Sequence, residues 1–345
     1  MKRVAIIGHF ARGQEYLDGQ TVKTKLVSQE LKHKLGSQHV EEIDTHGGIK
    51  TLFKSPFQCF FALHNSQNVI ILPAHNGLRV YSILLVLFNK IFRRKLHYVV
   101  IGGWLPRYLE HHACVLRALN CFNCIYVETN LMKKALEEKN LSNIYVMPNA
   151  KKLHILKEKN IISPYKRPYK LCTFSRVMKQ KGINDIVKAV KEINKLYNEV
   201  IFLLDIYGPV DPLYKNEFTE MCKNFPKYIR YCGCVPSDES TSVLSDYYAL
   251  VFPTRFYTEG IPGTIIDAFS SGLPVISSKW QNFSDLIDDG ITGIGYDFGS
   301  YKHLKSTLIE IIANPKRLIN MKKNCIREAE KYSIDKAISI LLEQV

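Results

Sequence analysis

Short apolar runs alternate with amphipathic stretches along the whole chain of 345 residues. Apolar runs of roughly four to eight residues are typical of strands buried on both faces, whereas apolar positions spaced three and four apart indicate helices. Strands are predicted at residues 4–7, 69–72, 98–101, 125–127, 144–147, 171–174, 200–207, 229–232, 249–252 and 274–276. Helices are predicted at residues 21–35, 78–92, 108–119, 131–139, 183–196, 237–245 and 264–270, and again from 301 to the end with breaks at Pro315 and near Ser333. This order predicts an α/β fold with doubly wound parallel sheets covered by helices.

The chain is too long for one core of ordinary size, which favours two domains. A polar stretch with two prolines, residues 163–168, lies between complete βα units and is the predicted boundary. We therefore expect Rossmann-like domains at 1–163 and 164–325, and a C-terminal helix at 326–345 with the first domain as its candidate packing partner. Doubly wound sheets bind ligands at the carboxyl ends of their strands, so the expected site is a cleft where the two domains face each other.

Hydrophobic residues make up 46% of the chain and charged residues 23%, which excludes a disordered or collagen-like protein. Lys and Arg number 47 against 32 Asp and Glu, and the net charge of +15 favours a polyanionic partner: nucleic acid, an anionic membrane or a phosphorylated ligand. The nine cysteines lack the paired spacing of a disulfide framework, and no secretory segment follows Met1, so we expect a cytoplasmic protein. The longest apolar run, residues 80–88, is too short for a membrane span.

The most informative segment follows the strand predicted at 249–252 and opens a helix with Pro262 in its first turn. The free backbone N–H groups at that helix start form a natural anion site, and the residues that would line it are Gly260, Ile261, Pro262 and Gly263. Glu259 precedes the helix and Asp267 lies eight residues later, so both carboxylates fall near one edge and can accept hydrogen bonds from a sugar. The alternative is an ordinary N-terminal acid and a surface aspartate.

A second basic segment follows the strand predicted at 171–174. Arg176 and Lys181 lie in the loop into the next helix, at the end of the strand where ligands bind. Paired cations suit a diphosphate, because negative charge grows on the leaving group as a glycosyl phosphate bond breaks. A solvated basic loop is the alternative.

Together these segments resemble the nucleotide-sugar-binding half of the family-four retaining glycosyltransferases, which have the GT-B fold. The resemblance implies that Arg176 and Lys181 bind the donor phosphates and that Glu259, the first glutamate of a Glu-x7-Glu motif, faces the donor sugar. Asp267 stands in place of the second glutamate, with an arm one methylene shorter, and would hold the ribose hydroxyls.

The resemblance extends to glycines at two strand ends and, with less force, to the first half. Gly208 and Gly233 match the two strand-end glycines, the latter near the nucleobase. In the first half, Gly19 belongs to a loop that approaches the donor phosphates and the acceptor, and its Asp-Gly-Gln-Thr-Val-Lys-Thr context looks like capsule and exopolysaccharide transferases.

His75 ends a strand and would hydrogen-bond the donor sugar or the acceptor, although a histidine there is as often structural. A second histidine of many members is absent, because that position reads Ile-Gly-Gly-Trp at 101–104.

Two other patterns have plainer readings. Cys121 and Cys124, with His111, His112 and Cys114 upstream, supply pieces of a zinc site, but no second Cys-x-x-Cys or spaced His pair completes it. Residues 78–98 combine an apolar first half with a basic end, which suits either a helix docking on anionic lipid or a core helix whose basic end complements its dipole.

Together these expectations predict a cytoplasmic, retaining hexosyltransferase. Association with the inner face of the cell membrane is left as an alternative. The enzyme would move a hexose or N-acetylhexosamine from a nucleoside-diphosphate sugar to a hydroxyl of a glycan, lipid-linked through polyprenyl diphosphate in one alternative, in surface polysaccharide biosynthesis. No cofactor or metal is expected, because protein cations balance the leaving group. The rivals are an epimerase or hydrolase on the same fold and a non-catalytic basic protein that binds membrane or nucleic acid. Nucleic acid is not the expected partner, since no helix-turn-helix, aromatic RNA-binding strand or basic arm is present.

Overall fold

The computed structural model describes residues 1–13, 19–47, 49–161 and 166–345, apart from the side chains of residues 49, 50 and 52. The chain forms two compact units. Unit 1 comprises Met1–Lys151 and Ile334–Val345, and unit 2 comprises Lys152–Ser333. The boundary predicted at residues 163 and 164 lies outside the described residues.

Strands and helices alternate as the hydrophobic pattern predicts. The strands are β1 (Lys2–Gly8), β2 (Val40–Asp44), β3 (Ser66–Ile71), β4 (Lys95–Val99), β5 (Cys124–Val127), β6 (Ile144–Val146), β7 (Tyr169–Phe174), β8 (Phe202–Tyr207), β9 (Ile229–Gly233), β10 (Ala249–Phe252), β11 (Val275–Ser278) and β12 (Gly293–Tyr296). The helices are α1 (Gly19–Leu35), α2 (Ile49–Asn65), α3 (His75–Phe92), α4 (Leu105–Leu109), α5 (Ala113–Leu119), α6 (Asn130–Glu137), α7 (Ile183–Tyr197), α8 (Lys215–Lys223), α9 (Ser240–Ser245), α10 (Gly263–Ser270), α11 (Tyr301–Ala313), α12 (Lys316–Ala329) and α13 (Ile334–Leu342). The predicted α/β class is confirmed.

Each unit contains one six-stranded parallel sheet, with the order β2-β1-β3-β4-β5-β6 in unit 1 and β12-β11-β10-β7-β8-β9 in unit 2. Both sheets are covered on two faces. Along β1, Ala5 and Ile7 join the core with α2, α3 and α5, whereas Val4 and Ile6 join the core with α1 and α13. Side chains alternate between the two faces of a strand, so successive residues of β1 pack in two separate cores.

Four elements were not predicted, because their sequences lack the usual pattern of a strand or a helix. Strand β2 contains three acids, because it is an edge strand whose Glu42 pairs with Lys32. Helix α2 contains Pro56, which normally marks a break, and α8 buries only Phe218. Strand β12 is rich in glycine because a Cβ at Gly293 would lie 2.3 Å from a carbonyl oxygen of β11. The helix predicted at 108–119 is instead divided into α4 and α5.

The last helix belongs to unit 1. Helix α13 packs on α1, and the Asp335 carboxylate forms an ion pair with the Lys34 ammonium, with an N–O distance of 2.8 Å. The segment 301–345 is interrupted as expected, since α11 ends before Pro315 and α13 begins directly after Ser333. In the described ranges, no helix is both long enough and apolar enough to cross a bilayer.

Candidate functional site

In unit 2, the two segments with candidate site residues follow strands that are neighbours in the sheet. Strand β7 lies between β10 and β8 in the sheet, so the chain reverses its winding direction at β7. Such a switch point opens a crevice at the carboxyl ends of the strands, where doubly wound proteins bind ligands. The loop with Arg176 and Lys181 follows β7, and the segment with Glu259 follows β10.

Backbone hydrogen bonds attach the loop after β7 to both neighbours. On the β8 side, the Ser175 N–H donates to Tyr207 at 3.1 Å and the Val177 N–H donates to Pro209 at 2.9 Å. On the β10 side, the Arg255 N–H donates to the carbonyl of Gln180 at 2.8 Å. The loop is therefore fixed by main-chain contacts that do not depend on its exposed side chains.

Two glycines make these close approaches possible. Gly208 has φ +127°, and a Cβ there would lie 2.0 Å from the Ser175 carbonyl oxygen. Gly182 has φ +67°, and its Cβ would lie 2.0 Å from the Pro253 carbonyl oxygen. Gly233 also has a positive φ, +76°, but no neighbouring atom within 4 Å of its Cβ position. Backbone conformation alone favours glycine at Gly233, whereas contact also requires it at Gly208.

Gly208→Ala is expected to destabilise unit 2 by about 3 kcal/mol or more, because strain at positive φ adds to a contact with backbone. Gly233→Ala is the matched control, with an expected cost of about 1 kcal/mol from conformation alone. The chain has two tryptophans, so a Trp104→Phe background leaves Trp280 to report urea unfolding of unit 2 by fluorescence. Equal midpoints for the two alanine variants would contradict this account of Gly208.

Lys181 and Glu259 form an ion pair at the switch point. The Lys181 Nζ lies 2.7 Å from the Glu259 Oε2, with 15% and 16% of the two side chains exposed. Thr254 donates its hydroxyl to the same Oε2 at 3.3 Å, and Asn282 donates to the Glu259 carbonyl at 2.6 Å. The Lys181 ammonium also lies 5.1 Å from the centre of the Phe252 ring. The sequence predicted separate roles for these two groups, and the fold brings them into one contact.

Arg176 complements this pair. Its side chain is exposed, and its guanidinium makes no hydrogen bond or ion pair with the residues that the structure describes. A cation with free donors on the same loop as the largely buried Lys181 suits a phosphate group, since guanidinium binds phosphate oxygens in a bidentate manner.

Helix α10 supplies the third part of the site. It begins at Gly263 with Pro262 as its N-cap, so the prediction of Pro262 in the first turn is wrong by one position, because its ψ of 126° is extended. Gly260 and Ile261, which directly precede Pro262, are both buried. The Thr264 hydroxyl at this end is buried and has no hydrogen-bond partner among the described residues. Asp267 is only 8% exposed, so it is not a surface aspartate.

In unit 1, the predicted residues begin helices at the carboxyl ends of strands. Gly19 begins α1, while Asp18 lies outside the described residues. Asp44 holds the loop after β1. Its carboxylate accepts hydrogen bonds from the backbone N–H groups of Phe10 at 2.9 Å and Arg12 at 3.1 Å. Burial alone would raise the pKa of Asp44, but these backbone donors outweigh it and hold the pKa below its usual value.

His75 begins α3 in a strained backbone conformation, with φ +33°. Its ring stacks on Trp104, with ring centres 4.0 Å apart, and its carbonyl accepts a hydrogen bond from the Tyr108 hydroxyl at 3.2 Å. Burial of its ring nitrogens and the charge of His112 lower the pKa of His75, which favours the neutral imidazole. Trp104 stands in the stretch where the second histidine is absent.

The zinc pattern gains no support from the geometry. Cys124 is buried in β5, and Cys121 is exposed. Within the described ranges, no group of three potential ligands could hold a metal ion.

Comparison with solved structures identifies the architecture. Sucrose-phosphate synthase from Thermosynechococcus elongatus superposes with a TM-score of 0.78 at 15% identity, covering 100% of this chain and 98% of that chain. HepE from Anabaena, in complex with UDP and glucose, gives a TM-score of 0.73 at 13% identity and covers 99% of each chain. The fold is GT-B.

Sequence comparison finds similarity to glycosyltransferases, and its family match lies in the second unit. Residues 168–314 match the family described as Glycosyl transferases group 1. A protein of Methanocaldococcus jannaschii, named an uncharacterized glycosyltransferase, is 22% identical over 233 residues, 65% of this chain and 55% of that protein. Alpha-monoglucosyldiacylglycerol synthase of Acholeplasma laidlawii is 30% identical over 161 residues, 46% of this chain and 38% of that protein. The chain thus spans about half or less of the length of these relatives.

Sequence reasoning missed four side chains of this GT-B structure that shape the predicted positions. Thr254 and Asn282 hold Glu259, and Trp104 and Tyr108 hold His75. Thr254, Trp104 and Asn282 each lie within about five residues of a strand end, and that location is the signal that could have found them, whereas Tyr108 lies in α4. Except for Thr254, their partners come from distant segments, so the sequence does not reveal which group each one contacts.

Proposed function

We propose that this protein is a retaining glycosyltransferase that moves a hexose or N-acetylhexosamine from a nucleoside-diphosphate sugar to a hydroxyl of a glycan. The observation that carries the proposal is the Lys181–Glu259 ion pair at the switch point of unit 2, with the exposed Arg176 on the same loop as Lys181. A diphosphate needs cations and a sugar needs hydrogen-bond acceptors, and this arrangement offers both. The solved complexes of HepE with UDP and with UDP-glucose support the same donor class.

In this proposal the side chains divide the donor between them. Arg176, Lys181 and the amides around Gly260 and Gly263 neutralise the diphosphate, Glu259 positions the sugar, and Asp267 holds the ribose. The glycines Gly208 and Gly233 leave room for the nucleotide at the strand ends. Gly19 and His75 of unit 1 would keep the roles that the family resemblance implies for them.

The proposed reaction breaks the bond between the sugar C1 and the diphosphate oxygen, and the electron pair leaves with that oxygen. The acceptor hydroxyl attacks C1 on the same face, so the configuration is retained, and its proton passes to the leaving phosphate oxygen. Arg176 and Lys181 accelerate this step because the negative charge on the diphosphate rises toward the transition state. The proposed mechanism requires no metal ion, so activity should persist in EDTA.

The proposed acceptor is a lipid-linked glycan at the cytoplasmic face of the membrane, in the synthesis of a surface polysaccharide such as a capsule. Two relatives support this acceptor class by their names. Alpha-monoglucosyldiacylglycerol synthase is named for a lipid product, and AmsK of Erwinia amylovora, 20% identical over 149 residues, is named for amylovoran biosynthesis. Peripheral contact with an anionic membrane would bring such an acceptor within reach.

A thermal-shift screen of nucleoside diphosphates and their sugars tests the donor class. A ligand at one hundred times its Kd stabilises the folded state by about 2.7 kcal/mol. We therefore expect one nucleotide to raise the Tm by roughly 5–10 °C. No shift with any nucleotide would contradict the proposal, and donor turnover that no glycan acceptor changes would instead support an epimerase or hydrolase.

A further inference from the structure

Helices α2 and α3 of unit 1 expose an unusual number of large apolar side chains. On α2 these are Phe53, Phe57, Phe60 and Phe61, and on α3 they are Ile83, Leu87 and Ile91. Phe53 and Ile91 are 78% and 77% exposed. The same helices bury a different face, so both are apolar on two sides, whereas a surface helix normally presents polar residues to water. We call these seven residues the α2–α3 patch.

The two halves of the patch lie on helices that pack against each other. Positions 53, 57 and 61 follow helical spacing on α2, and 83, 87 and 91 follow it on α3, so each set forms one stripe. Phe60 connects the two helices, since its ring centre lies 6.4 Å from that of Phe88 and 5.2 Å from that of Phe92. Exposed apolar surface of this extent marks an interaction site.

The charges on the two helices have one sign, while Glu41 of strand β2 lines a hollow with Lys54, Phe57 and Phe61. Neither α2, with 17 residues, nor α3, with 18 residues, contains Asp or Glu. Lys54 lies between Phe53 and Phe57, and Lys90 lies in the last turn of α3. Beyond α3, a hollow of about 510 Å³ is lined by Arg3, Arg93, Arg94 and Lys95. An apolar stripe beside cations is complementary to a partner whose interior is apolar and whose edge carries negative charge.

We infer that the α2–α3 patch docks on an anionic lipid bilayer. The phenylalanine and isoleucine side chains enter the boundary between headgroups and acyl chains, and Lys54, Lys90 and Arg93 bind lipid phosphates. A second copy of the chain fits less well, because its matching cations would oppose these and its net charge is also +15. The inference does not depend on the proposed glycosyl transfer, since it involves none of the residues at the switch point.

Vesicle co-sedimentation of the full chain tests the docking. We expect the protein to pellet with vesicles of phosphatidylcholine and phosphatidylglycerol, and not with phosphatidylcholine alone. The double variant Phe53→Ser/Phe57→Ser should weaken binding about tenfold or more, because both side chains are largely exposed and each loses buried area in the bilayer. Lys90→Gln and Arg93→Gln should each weaken it about fivefold. Leu213→Ser is the matched control, since Leu213 is fully exposed on unit 2.

Insertion has its own spectroscopic readout. With both native tryptophans replaced by Phe, Phe57→Trp should shift its emission to the blue on anionic vesicles, whereas Leu213→Trp should not. Unchanged emission of Phe57→Trp, or vesicle binding that the double variant retains, would overturn the inference. A concentration-dependent dimer that the double variant abolishes would overturn it in favour of a second copy. The donor-induced thermal shift should survive in all patch variants, so failure of docking and failure of the donor proposal remain distinguishable.

Discussion

Lys181→Ala is expected to lower kcat for sugar transfer by about two to three orders of magnitude. The substitution removes a cation that neutralises the leaving diphosphate and leaves the Glu259 carboxylate without the ammonium that lies 2.7 Å away. Because the loop after β7 is fixed by backbone hydrogen bonds, we expect the protein to remain folded. The measurement is release of nucleoside diphosphate from the donor that the thermal-shift screen identifies.

Three variants of the same loop sharpen this test. Arg176→Ala should also reduce turnover, and chiefly weaken donor binding, because its exposed guanidinium has no structural partner among the described residues. Lys181→Arg keeps the charge and should recover part of the rate. Lys179→Ala removes an exposed charge from the same turn and serves as the control. A Lys181→Ala enzyme with the rate of the Lys179→Ala enzyme would refute the assigned role.

Lys23→Ala is expected to destabilise unit 1 by about 3–5 kcal/mol. Lys23 in α1 and Glu128 after β5 form an ion pair of 2.7 Å with 6% and 3% of their side chains exposed, and Lys23 also donates to the Val100 carbonyl at 3.2 Å. Removing the lysine takes away the ammonium that lies 2.7 Å from the buried Glu128 carboxylate. In a Trp280→Phe background, Trp104 fluorescence reports unfolding of unit 1, and the Tm should fall by roughly 6–20 °C.

The double variant Lys23→Met/Glu128→Leu separates charge from packing. Apolar residues of similar volume often replace a buried ion pair at little cost, so the double variant should be more stable than Lys23→Ala. If both variants lose the same free energy of unfolding, Lys23 stabilises unit 1 through packing around α1. The explanation by loss of its charge then fails.

The fold class could be predicted because it depends on local patterns. Apolar runs such as 171–174 and 249–252 recur with helical stretches between them, and each becomes a buried parallel strand. Elements whose residues serve a tertiary requirement were missed. The acids of β2 suit an edge strand, and the glycines of β12 avoid contact with β11.

The candidate site was predicted in part for a similar reason. Arg176, Lys181, Glu259 and Asp267 stand at strand ends and at a helix start, which spacing reveals. Their mutual contacts are long-range: Lys181 and Glu259 are 78 positions apart, and Asn282 reaches the Glu259 carbonyl from 23 positions away. The α2–α3 patch was only partly visible, because α2 follows a segment without a helix signal and contains Pro56.

The sequence by itself determined the alternation of strands and helices, the excess of basic charge, and the residue types available at the strand ends. Only the tertiary structure decided that Lys181 pairs with Glu259, that Trp104 stacks on His75, and that α2 joins α3 in an apolar surface. The physical reason is the range of the interactions. Backbone periodicity and helix starts are set by neighbours within a few residues, whereas ion pairs, ring stacking and surface continuity depend on strand order, which brings distant residues together.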